Sequence, residues 1–278
     1  MKHEIINLLD KPTEHGFMPT LKTYLLDMIE NKDCLRPAVI VFPGGGYGHC
    51  SYREGERIAL GYNAAGFHSF VLDYRVSPHK HPAPITDAAN AIKYVREHAE
   101  EWGVDSDKIA IVGFSAGGHL AASISTLWNN EKVFSADEIK SELNKPNACI
   151  LSYPVITSGD NAHKGSFRNL LGEDATDEML TFMSLENRVS IATPPTFIWH
   201  TYEDAGVPVQ NSLIYASSLA KYKIPCEMHI YPKGPHGLSR VTDETLWCVP
   251  RFRRKYDWLE QSVEWMIDLF ELKYEDRQ

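Results

Sequence analysis

Cysteine is sparse and scattered in this chain. The five cysteines, Cys34, Cys50, Cys149, Cys226 and Cys248, are odd in number and form no Cys-x-x-Cys pair, which argues against a disulfide framework and against a zinc site. Basic charge is also in deficit. Against 37 aspartates and glutamates stand 28 lysines and arginines, a formal net charge of −9, so a nucleic-acid partner, which would want a basic face, is not expected. The one basic cluster, "RFRRK" at Arg251–Lys255, reads as the solvated start of a helix. No stretch approaches the roughly 18 apolar residues of a spanning helix. The opening "MKHEIINLLDKPTEHG" lacks the continuous apolar segment of a secretory signal, so a cytoplasmic location without a membrane partner is the default. A chain trimmed of its leader would read the same way. No Pro/Gly/Ser-rich linker or internal repeat interrupts the 278 residues, and a single domain over 1–278 is expected.

What remains is ordinary globular composition, 43% hydrophobic and 23% charged, in a chain long enough for a deep core and an enclosed pocket. Strand-like and helix-like segments alternate along it. "TLKTYLLDMI" (Thr20–Ile29) reads as an antiparallel edge strand, and "AVIVF" (Ala38–Phe42) as a strand buried on both faces. "HSFVLDY", "KIAIVGF", "NACILSYPV" (Asn147–Val155), "PTFIWHT" and "CEMHIYP" are further strands. Between them lie helical patterns: "REGERIALGYNAAG" closing on Gly66, a helix opened by Asp87, "AGGHLAASISTLW", "VQNSLIYASSLAKY" and the amphipathic "YDWLEQSVEWMIDLFELK". Such alternation predicts an α/β fold, a mostly parallel central sheet flanked by helices on both faces. The irregular-to-helical stretch 156–193 is the expected insertion.

The active site of such a sheet belongs at the carboxyl ends of its strands, and four ends carry chemically loaded residues. In "IVGFSAGGHL", Ser115 stands in Gly-x-Ser-x-Gly between a strand and a helix, a turn that can expose a serine nucleophile. "PGGGY" (Pro43–Tyr47) offers glycine amides free of secondary structure, as an oxyanion requires; it lacks the Gly-Lys-Ser/Thr of a phosphate loop and the spacing of a dinucleotide loop. Asp204 follows "PTFIWHT"; its neighbour Glu203 competes for the role of orienting acid, and the Asp-x-x-Val-Pro spacing favours Asp204. His236 follows the last strand in the Gly/Pro-rich "YPKGPHGLS", where it could serve as general base and then acid. His79 and His81 lie in a Pro-rich loop without a carboxylate pattern that would suggest a metal, His229 sits inside a strand, and His119 reads as a packing residue. The chain order Ser…Asp…His is that of α/β hydrolases.

"PGGGY", "SYREGERIA", "VLDYRVSP", "KIAIVGFSAGGHLAAS", "NLLG", "TPPTFIWHTYEDAGVPVQNS" and "YPKGPHGLS" together resemble the small bacterial carboxylesterases of the α/β-hydrolase fold. The branch is that of acetyl esterases and acetyl-xylan esterases, often labelled lipase/esterase or sugar hydrolase, and related to the hormone-sensitive-lipase group. The similarity runs from Thr20 to Gly237. It implies Ser115 as nucleophile, His236 as base, Asp204 as orienting acid, and the N–H groups of Gly45, Gly46 and Ala116 as oxyanion donors, with no metal and no cofactor. Pro43 stands where the hormone-sensitive-lipase group usually has histidine, which leaves the chain closer to the carbohydrate-esterase branch.

Substrate contacts are expected from Tyr47, Pro154 and Val207, and from Phe167, Leu170, Leu171, Phe182 and Met183 of a lid at 156–193. The polar residues of His49–Arg53 have two readings, a sugar contact or a helix start held by ordinary salt bridges. No broad apolar surface is evident, so a short acyl chain is expected. A small-peptide serine peptidase would carry an extra N-terminal domain. A non-catalytic binding protein on the same scaffold would tend to lack His236, and a dienelactone-type hydrolase would carry cysteine at position 115. Trp258 and Trp265 fit either a homodimer face or a cover for the core, and core is favoured.

Overall fold

The segment Arg36–Phe42 shows why the sheet lies at the centre. In the computed structural model, which describes residues 1–27, 35–241 and 256–272, alternate side chains of this segment enter two separate cores. Ala38, Ile40 and Phe42 point into one, Val39 and Val41 into the other, as the two-residue period of a strand demands. The strands are β1 (Ile5–Asn7), β2 (Thr20–Tyr24), β3 (Arg36–Phe42), β4 (His68–Asp73), β5 (Val104–Phe114), β6 (Ala148–Ser152), β7 (Thr196–Thr201) and β8 (Cys226–Tyr231). They form one sheet in the order β1-β2-β4-β3-β5-β6-β7-β8. The pairs β1–β2 and β2–β4 are antiparallel and the other five neighbouring pairs are parallel. The helices are α1 (Glu56–Ala64), α2 (Ala83–Glu97), α3 (Ala99–Trp102), α4 (Ala116–Leu127), α5 (Ala136–Ser141), α6 (Lys164–Leu171), α7 (Asp177–Phe182), α8 (Gln210–Lys221) and α9 (Trp258–Leu269). Apolar residues of α1 and α9 share one core, and those of α2, α4 and α8 share the other. Among the described residues no helix is long and apolar enough to cross a membrane.

Three expectations need correction. The segment beginning at Thr20 is not the edge: β2 ends at Tyr24, and β1 pairs with its outer side, Ile6 opposite Leu21. Met28 and Ile29 of that segment lie outside the described residues, as do the basic cluster Arg251–Lys255, Cys34 and Cys248. Asp87 does not open a helix either. Helix α2 starts at Ala83, with proline in the first turn where its missing N–H has no helical acceptor to lose. Asp87 is instead fully buried and bonded to Arg75 at 2.7 Å. The strand at Asn147–Val155 is shorter, because Tyr153 takes φ 38 and Pro154 supplies no donor. Trp258 is fully buried and Trp265 packs at the margin of the same core.

Candidate active site

Strand β5 ends at Phe114 and α4 starts at Ala116, so Ser115 alone makes the turn, with φ 53 and ψ −115. A side chain in this region costs about 1–3 kcal/mol and persists only where neighbours impose it. Here they do. The Ser115 N–H donates to the Ser152 carbonyl at 3.0 Å, and the Ser115 carbonyl accepts from the Val155 and His119 N–H groups at 3.0 Å each. A methyl group on Gly117 would overlap the carbonyl oxygens of Phe42 and Pro43, and one on Gly113 would overlap the Gly117 carbonyl. The glycines of Gly-x-Ser-x-Gly thus let α4 sit directly on β3 and β5.

His236, in the loop after β8, reaches back over this turn. Its Nε2 lies 2.8 Å from Ser115 Oγ and its Nδ1 2.7 Å from Asp204 Oδ2. With a carboxylate at Nδ1, that nitrogen carries the proton and Nε2 is free to accept from the serine hydroxyl. Asp204 is buried, at 5% exposure, whereas Glu203 beside it is exposed. The Asp204 Oδ1 accepts from the Gly206 and Val207 N–H groups at 2.9 Å each, and Oδ2 lies 3.3 Å from His200 Nε2. Burial alone would raise its pKa. Hydrogen bonds from His200, His236 and Val207, with the charge of His236, outweigh that and hold the carboxyl well below the usual carboxylate range.

Gly44 packs against Ser115, a methyl group on it falling 3.1 Å from Ser115 Cβ, so Gly45 and Gly46 follow close on the turn that leads to Ala116. None of the N–H groups of Gly45, Gly46 and Ala116 meets an acceptor among the described residues. The reason lies in the opposite edge of each peptide plane, because a trans peptide directs its C=O and N–H in opposite directions. The Gly44 carbonyl is held by the Ser51 N–H at 2.9 Å, which aims the Gly45 N–H outward. The Gly45 carbonyl is held by the Gly48 and His49 N–H groups, which does the same for Gly46. The Ser115 carbonyl, held by Val155 and His119, fixes Ala116. Gly45 and Gly46 take φ 124 and φ 64, the region in which glycine is favoured.

The residues expected to border substrate are placed less uniformly. Tyr47 is buried, its hydroxyl 2.9 Å from His119 Nδ1. His119 Nε2 lies 2.9 Å from the Met183 carbonyl, so Nε2 carries the proton and Nδ1 accepts from Tyr47. Pro154 packs against Gly118, and Val207 is fully buried, its amide committed to Asp204; neither presents an open wall. Phe167 and Leu170 pack with Tyr47, His119, Val155 and Ser166 around a gap too small to hold a water molecule. Leu171, Phe182 and Met183 border a separate cleft of about 490 Å³ against α7. The segment "SYREGE" does open a helix, the turn Tyr52–Glu54 leading into α1, and Glu54 within it is buried and accepts the Gly44 N–H.

Four further residues touch the site without a signal that sequence patterns carry. Asn169 Nδ2 donates to the Gly46 carbonyl at 2.8 Å, tying α6 to the glycine loop. His163 caps the same helix, its Nδ1 accepting from the Ser166 N–H at 3.2 Å. His200 lies behind Asp204, and Tyr153 packs edge-on against His236 with centroids 5.1 Å apart. Asn169, His200 and Tyr153 find their partners in remote segments or loops, so of these only Asn169, in the "NLLG" motif, could have been pointed to, whereas the His163 cap on Ser166 is local.

The BD-FAE family model matches residues 25–219. A protein named endo-1,4-beta-xylanase B, from Butyrivibrio fibrisolvens, is 41% identical over 83% of this chain and 36% of its own length. An acetylxylan esterase from Xylanibacter ruminicola is 34% identical over 73% of this chain and 41% of its own. The chain thus spans well under half the length of these curated relatives. The crystal structure of an acetyl ester-xyloside bifunctional hydrolase from Caldicellulosiruptor lactoaceticus superposes with a TM-score of 0.83 at 37% identity, covering 97% of each chain.

Proposed function

The chain belongs to the BD-FAE family, and we propose that it is a serine carboxylesterase releasing short acyl groups, acetyl above all, from esters of xylo-oligosaccharides. One observation carries the reading: the hydrogen-bond chain from Asp204 through His236 to Ser115 ends beside three unpaired amide donors. In this reading residues 1–278 are one catalytic domain, and 156–193 form its lid.

The reaction proceeds in two acyl transfers. Ser115 Oγ attacks the ester carbonyl carbon while its proton passes to His236 Nε2. The carbonyl oxygen becomes an oxyanion held by the N–H groups of Gly45, Gly46 and Ala116, which cost no reorganisation because their peptides are already fixed. Each such donor contributes on the order of 10²–10³ in rate. The intermediate collapses, His236 protonates the departing sugar oxygen, and the acyl group stays on Ser115. Water, deprotonated by the same imidazole, then attacks the acyl carbon and releases the acid. Asp204 holds the imidazole in the productive tautomer and stabilises it while protonated.

One feature supports a short acyl group on a carbohydrate. The relatives named above carry acetyl and xylan or xyloside in their names. The test is hydrolysis of p-nitrophenyl esters from acetate to octanoate, wild type beside Ser115→Ala, followed by acetylated xylo-oligosaccharides. Rapid turnover of acetate, falling with chain length and lost in Ser115→Ala to near background, is the expected result. A folded wild type as inert as the variant refutes the esterase.

A further inference from the structure

Among the described residues Glu54 is the one carboxylate bonded to the glycine loop, and it reaches it from a turn that looked like a helix start. It is 3% exposed and closes the short helical turn Tyr52–Glu54 ahead of α1. Both of its oxygens are occupied. Oε2 accepts the Gly44 N–H at 2.9 Å and Oε1 accepts the Tyr153 hydroxyl at 2.6 Å. The Tyr153 oxygen in turn accepts the Ser239 N–H at 2.8 Å, three residues beyond His236. The Ser239 hydroxyl returns to the Arg53 carbonyl at 2.5 Å, and the Ser239 carbonyl accepts Trp258 Nε1 at 3.0 Å. Burial keeps the Tyr153 phenol protonated, its pKa well above the usual value, so its O–H is available to Glu54.

This chain of bonds joins two loops that the sheet alone holds only loosely together. The glycine loop follows β3 and the histidine loop follows β8, with β5, β6 and β7 between them. Each step across a sheet turns by roughly 20–25°, so small changes in twist add up over that distance. We infer that Glu54 is a positioning residue that sets the oxyanion donors of the glycine loop and the imidazole of His236 at one fixed spacing, through Tyr153 and Ser239. The inference rests on the serine-esterase reading for its catalytic consequence. Glu54 itself touches neither substrate nor Ser115 Oγ. Its action is to hold the Pro43–Gly44 peptide, and through Tyr153 both the backbone of the histidine loop and the edge of the His236 ring. Because both carboxylate oxygens accept from donors, an amide in place of the carboxylate must leave one of those donors facing an NH₂ group.

The test uses Glu54→Gln, which keeps shape and volume, and Tyr153→Phe, which removes only the hydroxyl. With p-nitrophenyl acetate, each variant is expected to lose about ten- to hundredfold in kcat with KM within about twofold, the signature of misplaced groups around an intact binding site. The double variant is expected to be no slower than the slower single one, since both break the same link. Wild-type kcat in Glu54→Gln, a loss confined to KM, or independent multiplicative losses would overturn the inference. Amide hydrogen exchange reads the link without turnover. In Glu54→Gln, exchange should quicken both in 43–48 and in 235–239; acceleration in one segment alone, or in neither, also overturns it. A wild type inert toward esters defeats the esterase reading by itself, and the exchange result still decides the brace.

Discussion

Asp204 keeps its two oxygens engaged from opposite sides, and this asymmetry decides what an amide there would do. Oδ1 faces only backbone donors, the N–H groups of Gly206 and Val207, which cannot change character. In Asp204→Asn the amide oxygen must therefore occupy that position, and the NH₂ group turns toward His236. The imidazole then accepts at Nδ1 and carries its proton at Nε2, where it cannot take the Ser115 proton. The expected loss in kcat on p-nitrophenyl acetate is on the order of 10⁴, with KM little changed. A loss below tenfold would show that the imidazole keeps its tautomer without the carboxylate. The spacing Asp-x-x-Val-Pro was legible because it is local: the Val207 N–H folds back three residues onto Asp204. His200 was not. It is a histidine in an apolar strand, and its bonds, Nδ1 to Ser212 Oγ at 2.8 Å and Nε2 to the Val207 carbonyl at 2.9 Å, exist only once α8 and the acid loop have docked.

At the scale of elements, the strand–turn–helix at Ser115 depends on how closely α4 approaches β3. Gly117 is the contact point, where any Cβ would run into two carbonyl oxygens of the neighbouring chain segment, Phe42 and Pro43. Backbone cannot yield as a side-chain end can. Gly117→Ala should therefore cost upward of about 3 kcal/mol, seen as a lower urea midpoint with an unchanged slope. A midpoint equal to wild type would mean that α4 can slide without penalty. The glycine pattern itself announces a tight turn, and that much of the element was readable. Its partner could not be read, because β3 lies some seventy residues earlier and only the sheet order makes it adjacent. The same limit hid Glu54. Between Arg53 and Gly55 it reads as one more charge at a helix start, and its burial comes from Tyr153, contributed by the end of β6. Local patterns thus located the elements and their loaded ends, while the contacts between loops waited for the fold.

Across the whole molecule, alternation of strand and helix was enough to read a mostly parallel sheet, because a parallel connection requires a crossover between strands. The register and the outermost strand were not readable: β1 is three residues long and carries no periodic signal, so the antiparallel strand at Thr20 was taken for the edge. The two-sided core has a consequence for pH that composition does not reveal. Among the histidines it buries are His68 and His119, each 1% exposed. Burial lowers both to about 4, with Arg36 adding to the shift at His68. In the unfolded chain each would titrate near the ordinary value of about 6.5. Between those values the unfolded state binds more protons, so stability rises with pH there. The contribution is present in full above about pH 6.5 and is lost as pH falls toward 4, roughly 2 kcal/mol for each histidine between pH 7 and pH 5. The thermal midpoint should accordingly drop by several degrees over that interval. His119→Gln preserves a donor for the Met183 carbonyl and an acceptor for Tyr47 while removing the titration. Its midpoint should fall less far than that of the wild type between the same two pH values. Equal falls in the two proteins would show that His119 is reached by protons in the folded state, and that the layer joining Tyr47 to Met183 opens to water.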